Sequence, residues 1–293
     1  MLHALTRAWL VLAIGAASAI TAADERAEAL RRIDADVFPD DQEPREMLGR
    51  DQAERMRACN LQSTADWRAI RSRADWERFR DERIARLRAS LGGVAPLKSL
   101  VETTVCGQFD ADGYRVQNIT YESRPGLTIT ANLYSPAGQV KSAPGVVISH
   151  SHHSPKTQGE LQDMGAHWAR AGCYVLVADH LGHGERRQHP YLSGDDYPAD
   201  FRSWRQDYYF RYNEAMHLYA ASESLMGWVA ADLMRGVDVL LAQPGVDPQR
   251  IAIFGSVAGG GDPAAVTAAL DSRITLLAPF NFGGPQPETR FPL

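Results

Sequence analysis

The chain has 293 residues, 44% hydrophobic and 23% charged, which excludes a disordered or fibrous protein and suits a soluble chain with a sizeable core. Its net charge is −5 and it has no basic tract, which argues against nucleic acid and anionic membrane as partners.

Arg7 precedes an apolar run from Trp9 to Ala17, with Ala17-Ser18-Ala19 or Ile20-Thr21-Ala22 as cleavage sites. This pattern reads as a secretory signal over residues 1–22, so the mature protein is expected to be secreted or periplasmic. The run is short for a membrane span, so no stable span is expected after cleavage; an uncleaved anchor is the alternative. Export permits a disulfide, and Cys59 with Cys106 is the pair to consider. Cys173, beside a strand, reads as a small buried hydrophobe. No cysteine–histidine spacing resembles a structural zinc site.

Residues 23–92 read as an N-terminal helical arm. Trp67, Ile70, Trp76, Phe79, Ile84 and Leu87 recur at loosely helical spacing, as in an amphipathic helix pair that buries its tryptophans. Residues 93–293 read as one larger domain. Tyr114 to Glu122 and Leu127 to Tyr134 alternate about the turn Arg124-Pro125-Gly126 and form a hairpin. Asn118-Ile119-Thr120 fits a glycosylation acceptor but lies within this strand pattern. Gly145 to Ser149 is a continuous apolar run, the mark of a strand buried on both faces. A helix follows from Gln158 to Ala171, then a buried strand from Tyr174 to Ala178 and the loop Asp179-His180-Leu181-Gly182-His183-Gly184. Residues 191–219 read as an irregular, aromatic-rich insertion, either a lid over a sugar or a segment packed on the domain. Ser224 to Ala242 is helical, with Asp232, Arg235 and Asp238 spaced to pair on its surface. Ile251 to Phe254 is a strand, Asp262-Pro263 caps and opens a helix to Leu270, and Ile274 to Pro279 is a strand.

Strand–helix alternation after a hairpin implies an α/β fold, a mostly parallel sheet flanked by helices. Ligands in such sheets sit at the carboxyl ends of the strands. Those ends are Ser149-His150, Asp179-His180, Gly255 to Gly261 and Phe280-Asn281.

Gly255-Ser256-Val257-Ala258-Gly259 follows a strand and precedes a helix, the layout of a G-x-S-x-G nucleophile elbow. With Asp112-Gly113-Tyr114, Thr130-Ala131-Asn132-Leu133-Tyr134, Asp179 to Arg186 and Val246 to Ile251, it resembles the secreted α/β-hydrolase esterases related to acetyl xylan esterases and dienelactone hydrolases. The resemblance runs from about Asp112 to Leu293 and implies hydrolysis of an ester by an activated serine. It also implies an oxyanion site from the amides after the nucleophile and in the loop His150-Ser151-His152-His153-Ser154.

Two departures stand against it. Val257 occupies the elbow position and has no group that attacks a carbonyl; Ser256 comes one residue early and is the only hydroxyl there. No histidine follows His217, and Asp262, Asp271 and Glu288 are the only acids after the elbow. The last two strands of the fold also lack a counterpart, so the C-terminus reads as truncated. The chain is then the first part of a longer protein, or a complete one without the hydrolytic machinery.

Ser256 is therefore the expected nucleophile if there is one, with His153 or His180 as its base. His150, Ser151, His152, Ala258 and Gly259 line the oxyanion and substrate loop. Glu185, Arg186, Trp204 and Tyr208 are expected to contact a small-molecule or polysaccharide ester. No cofactor is required. The leading reading is an exported carboxylic-ester hydrolase acting on carbohydrate esters such as acetylated polysaccharide. One alternative is an inactive hydrolase-fold binding protein. Another is a metal-dependent hydrolase using His150, His152 and His180, with His183 and His189 nearby.

Overall fold

The computed structural model describes residues 25–32, 44–92, 100–151, 155–187 and 203–280. The chain divides into two compact units, Met1–Thr64 and Ala65–Leu293. In the first, residues 25–31 are helical, and α1 (Pro44–Arg68) begins there and ends in the second. Helix α2 (Arg73–Ser90) lies in the second unit. Ser72 caps α2 by accepting a hydrogen bond from the Asp75 amide. Ile84, Leu87 and Leu91 then pack against Ala230, Met234 and Leu270.

The tryptophans are not buried as expected. Trp67 is 57% exposed and Trp76 40%. They contact each other and Phe79, with ring centroids 5.7–6.0 Å apart. The rest of α2 is largely Arg, Asp and Glu, so it has no continuous apolar stripe, and none of its residues is buried.

The second unit is built on a seven-stranded mixed sheet in the order β1-β2-β3-β5-β4-β6-β7. The strands are β1 (Thr103–Ala111), β2 (Tyr114–Arg124), β3 (Leu127–Pro136), β4 (Ala143–Ser149), β5 (Tyr174–Ala178), β6 (Val246–Ser256) and β7 (Leu276–Phe280). β1, β2, β3 and β5 pair antiparallel in turn; β5, β4, β6 and β7 are parallel. β1 was not legible from the sequence, because as an edge strand it is polar and almost wholly exposed. β4 and β5 are buried on both faces, as their unbroken apolar runs require.

Helix α3 (Gly159–Arg170) covers one face through Leu161, Met164 and Trp168 against Val146, Ile148 and Val175. Helices α5 (Leu225–Leu241) and α6 (Val257–Leu270) cover the other, where Val229, Leu233, Val237 and Ala264 meet Val147, Leu176 and Ile253. Ser224 caps α5 through the Gly227 amide. Arg235 pairs with Asp238 as expected, but Asp232 is buried and turns toward Arg186. Cys59, Cys106 and Cys173 are all free thiols, with Cys173 half-buried.

Two further expectations change. Ser203–Ala220, expected to be irregular, is a helix, α4. Helix α6 starts at Val257, not at Asp262, and holds Pro263 inside it. The glycine cluster reads as a helix breaker, but the packing demands small residues there. A Cβ on Gly255 would strike the Gly260 carbonyl, and one on Gly260 would lie 2.5 Å from the Ser149 oxygen. The glycines let α6 begin directly against β4 and β6. A Gly260→Ala substitution is expected to lower stability by about 3 kcal/mol, measured as a lower denaturant midpoint with unchanged cooperativity; an unchanged midpoint contradicts this packing.

Candidate active site

The strand-to-helix junction has the backbone of an elbow. Val257 has φ +52°. For a β-branched residue this left-handed conformation is strained by about 1–3 kcal/mol, and it persists only where the surroundings over-determine it. The frame is therefore Gly255-Ser256-Val257-Ala258-Gly259, with valine at the apex. Ser256 ends β6 in extended conformation (φ −131°, ψ 147°), and its side chain makes no capping bond to α6. Ala258 and Gly259 lie in the first turn of α6, which carries no acidic residue. Amides left uncapped at a helix N-terminus suit a developing oxyanion.

Three buried histidines gather where β4 and β5 end. The His150 and His180 rings stack 3.9 Å apart, and His183 lies 5.2 Å from His150. The hydrogen bonds fix both tautomers of the stack. The His180 amide donates to His150 Nε2 at 2.8 Å, so the His150 proton sits on Nδ1 and is donated to the Ser151 carbonyl at 2.7 Å. Arg211, on α4, directs a guanidinium N–H at His180 Nδ1 at 3.3 Å, leaving the Nε2 proton for Ser149 Oγ at 3.2 Å. Burial first, and then the His183 imidazole, push the pKa of His150 down to about 3. Burial, His150 and Arg211 hold His180 well below its usual range.

This arrangement opposes the metal reading. Both nitrogens of His150 are used, and one of His180 faces a guanidinium, which repels a cation. Among the described residues no His, Cys, Asp and Glu group is arranged to hold a metal. His180 is likewise engaged with Ser149 and Arg211 rather than with Ser256. His152, His153 and His189 lie outside the described residues, as do the side chains of Trp204 and Tyr208 on α4.

Asp179 organises the rim beside this stack. Its carboxylate accepts from Thr130 Oγ1 and the Lys156 amide, each at 2.9 Å, from Lys156 Nζ at 2.5 Å and from the Glu185 amide at 3.2 Å. Burial would raise its pKa, but the Lys156 bonds outweigh that and hold the carboxyl below its usual value. Gly184, at φ +53°, has no Cβ because the carboxylate fills that space. Arg186, expected to touch substrate, is instead 4% exposed and donates to the Asp179 carbonyl and to Asp232 at 2.7 Å. A residue adjoining an exposed glutamate reads as surface, and only the fold turns it inward. Glu185 remains exposed and pairs with Lys156. Lys156, Arg211 and Asp232 were missed as site residues because no local motif marks them.

A family model described as acetyl xylan esterase (AXE1) matches residues 74–282. Among solved structures, a putative acetyl xylan esterase from Bacteroides fragilis NCTC 9343 aligns with TM-score 0.55 at 15% identity, over 70% of this chain and 53% of that one. The methylesterase BT1017 aligns with TM-score 0.58 at 21% identity, over 78% and 45%. The chain thus spans about half the length of these structures, and at such identities the likeness establishes the α/β-hydrolase fold. No curated protein matches the chain by sequence.

Two outcomes follow from the site. Glycine carries no penalty at φ +52°, so Val257→Gly is expected to raise stability by about 1 kcal/mol; a lower denaturant midpoint would refute the strain. His150 has a folded-state pKa of about 3 against an ordinary 6.5. Between those values the unfolded chain binds a proton that the folded protein refuses. Stability is then complete above pH 6.5 and declines as pH falls toward 3, by about 1.4 kcal/mol per pH unit for each such proton. His150→Gln should flatten that slope, and an unaltered profile in urea titrations at several pH values argues against a neutral His150.

Proposed function

The chain belongs to the acetyl xylan esterase family, and from that premise we propose that it is an exported hydrolase of carboxylic esters carried on carbohydrate. The observation that carries this reading is the family match across residues 74–282, which includes the elbow and the whole polar rim. Export is supported by Arg7 and the apolar run Trp9 to Ala17. Among the described residues no helix is long and apolar enough to cross a membrane.

In this reading Ser256 Oγ attacks the ester carbonyl carbon. The carbonyl π pair moves onto oxygen, and the tetrahedral oxyanion faces the first-turn amides of α6. The Oγ proton goes to a general base. As the intermediate collapses, the base returns that proton to the sugar oxygen, which leaves as a hydroxyl; water then gives a proton to the base and attacks the acyl-serine, and Ser256 Oγ takes the proton back as the acid departs. Ser256 suits this role in being exposed at the carboxyl end of β6 without a capping bond.

A specific observation favours a second reading, a carbohydrate-binding protein without turnover: the strained apex position holds Val257. The two readings separate in one experiment. Purified protein is assayed on acetylated xylan and on 4-nitrophenyl acetate, with Ser256→Ala beside it. The esterase reading expects turnover that falls at least about 100-fold in the variant. Full activity in Ser256→Ala removes Ser256 from the mechanism. Binding of acetylated xylan without any acetate release establishes the second reading.

A further inference from the structure

Away from the elbow, a cavity of about 460 Å³ opens among the residues at one end of β1, β2 and β3. The strand register gives its position. Ala131 of β3 pairs with Ala178, the last residue of β5. Antiparallel β3 therefore begins, and β2 ends, on the same rim where β4, β5 and β6 finish. β2 is four strand positions from β6 in the sheet, or ~19 Å at ~4.8 Å per strand.

The lining has a definite chemistry. Thr104 pairs with Thr120, and Glu122 with Thr128, so these four side chains stand together on one face. Tyr121 alternates to the opposite face, where its side chain is buried beneath α5. It is 3% exposed, and its hydroxyl meets no hydrogen-bond partner among the described residues. A buried hydroxyl in that state has lost its hydration without a bond to offset it. The charges balance, Glu102 and Glu122 against Arg124 and Arg235, so the cavity has no bias toward an ionic ligand. Arg235 is held by the Glu122 and Leu100 carbonyls and by Asp238. Leu100 and Pro125 supply apolar surface. Hydroxyls, balanced charges and small apolar patches complement a sugar ring, whose hydroxyls donate and accept and whose C–H faces are apolar.

We propose that this cavity is a distal subsite that holds the main chain of a polymeric carbohydrate while an ester farther along that chain lies at the elbow. The elbow half of the statement rests on the proposed function; sugar binding in the cavity does not. A small ester at the elbow does not span the separation, whereas several linked sugar units do.

The test uses the full chain and xylohexaose, which has no ester, in isothermal titration. Wild-type protein is expected to bind it. Thr120→Val and Glu122→Gln should each weaken Kd about fivefold or more, the scale of one lost hydrogen bond. Tyr121→Phe, which removes a core hydroxyl on the other face, should raise the thermal midpoint and leave Kd unchanged. In parallel, turnover of 4-nitrophenyl acetate should be the same in all variants, with KM for acetylated xylan raised in Thr120→Val and Glu122→Gln. No xylohexaose binding by wild type, or equal binding by those two variants when folded, overturns the subsite. Xylohexaose binding without any ester turnover supports the subsite and overturns the esterase reading alone.

Discussion

The polar rim of the sheet depends on one buried carboxylate, that of Asp179. It sits at the end of β5 and draws in Thr130 from β3, Lys156 from the chain before α3 and the Glu185 amide from the turn beyond. The backbone carbonyl of the same residue receives Arg186, which in turn ties the turn to Asp232 on α5. A buried charge is tolerable only when its lone pairs are filled, and here backbone amides, a hydroxyl and an ammonium fill them. Gly184 makes this possible, since any side chain there would occupy the carboxylate's space. Three strands or helices and two connecting segments are thereby held in one geometry.

The histidine stack lies against that frame and inherits its rigidity. His150 is held by the amide of His180, the residue directly after Asp179. The stack is neutral because burial and Arg211 disfavour any added proton. A neutral, fully bonded imidazole is a structural element rather than a poised base. The rim thus presents its polarity through backbone amides at the start of α6 and through hydroxyls toward β2, and less through titrating side chains. The elbow fits this picture. Its strain survives at Val257 because glycines at 255 and 260 seal α6 against β4 and β6, whatever side chain occupies the apex.

Much of the architecture was legible because it rests on patterns local in sequence. Apolar runs marked β4 and β5, the turn at Gly126 marked the hairpin, and the apolar face of Ser224 to Ala242 marked α5 to within one residue at each end. The errors share one cause. β1 carries too little apolar residue to signal a strand, yet it pairs along β2 through backbone bonds that any sequence offers. The glycines of α6 look like a loop until β4 is placed beside them. The exposed Trp67 and Trp76 look like core because sequence records hydrophobicity and not the neighbour that would cover it.

Sequence by itself determined the alternation of strand and helix, the location of the rim, the valine at the elbow and the resemblance to an esterase family. These depend on residue type at short spacing. Only the tertiary structure decided that Val257 takes the strained apex conformation, that Arg186 is buried while Glu185 is not, and that His150 and His180 are stacked in fixed tautomers. Each of these follows from contacts between residues about 30 or more apart in the chain. Long-range packing sets burial and hydrogen bonding, and they in turn set what a titratable or polar side chain can do.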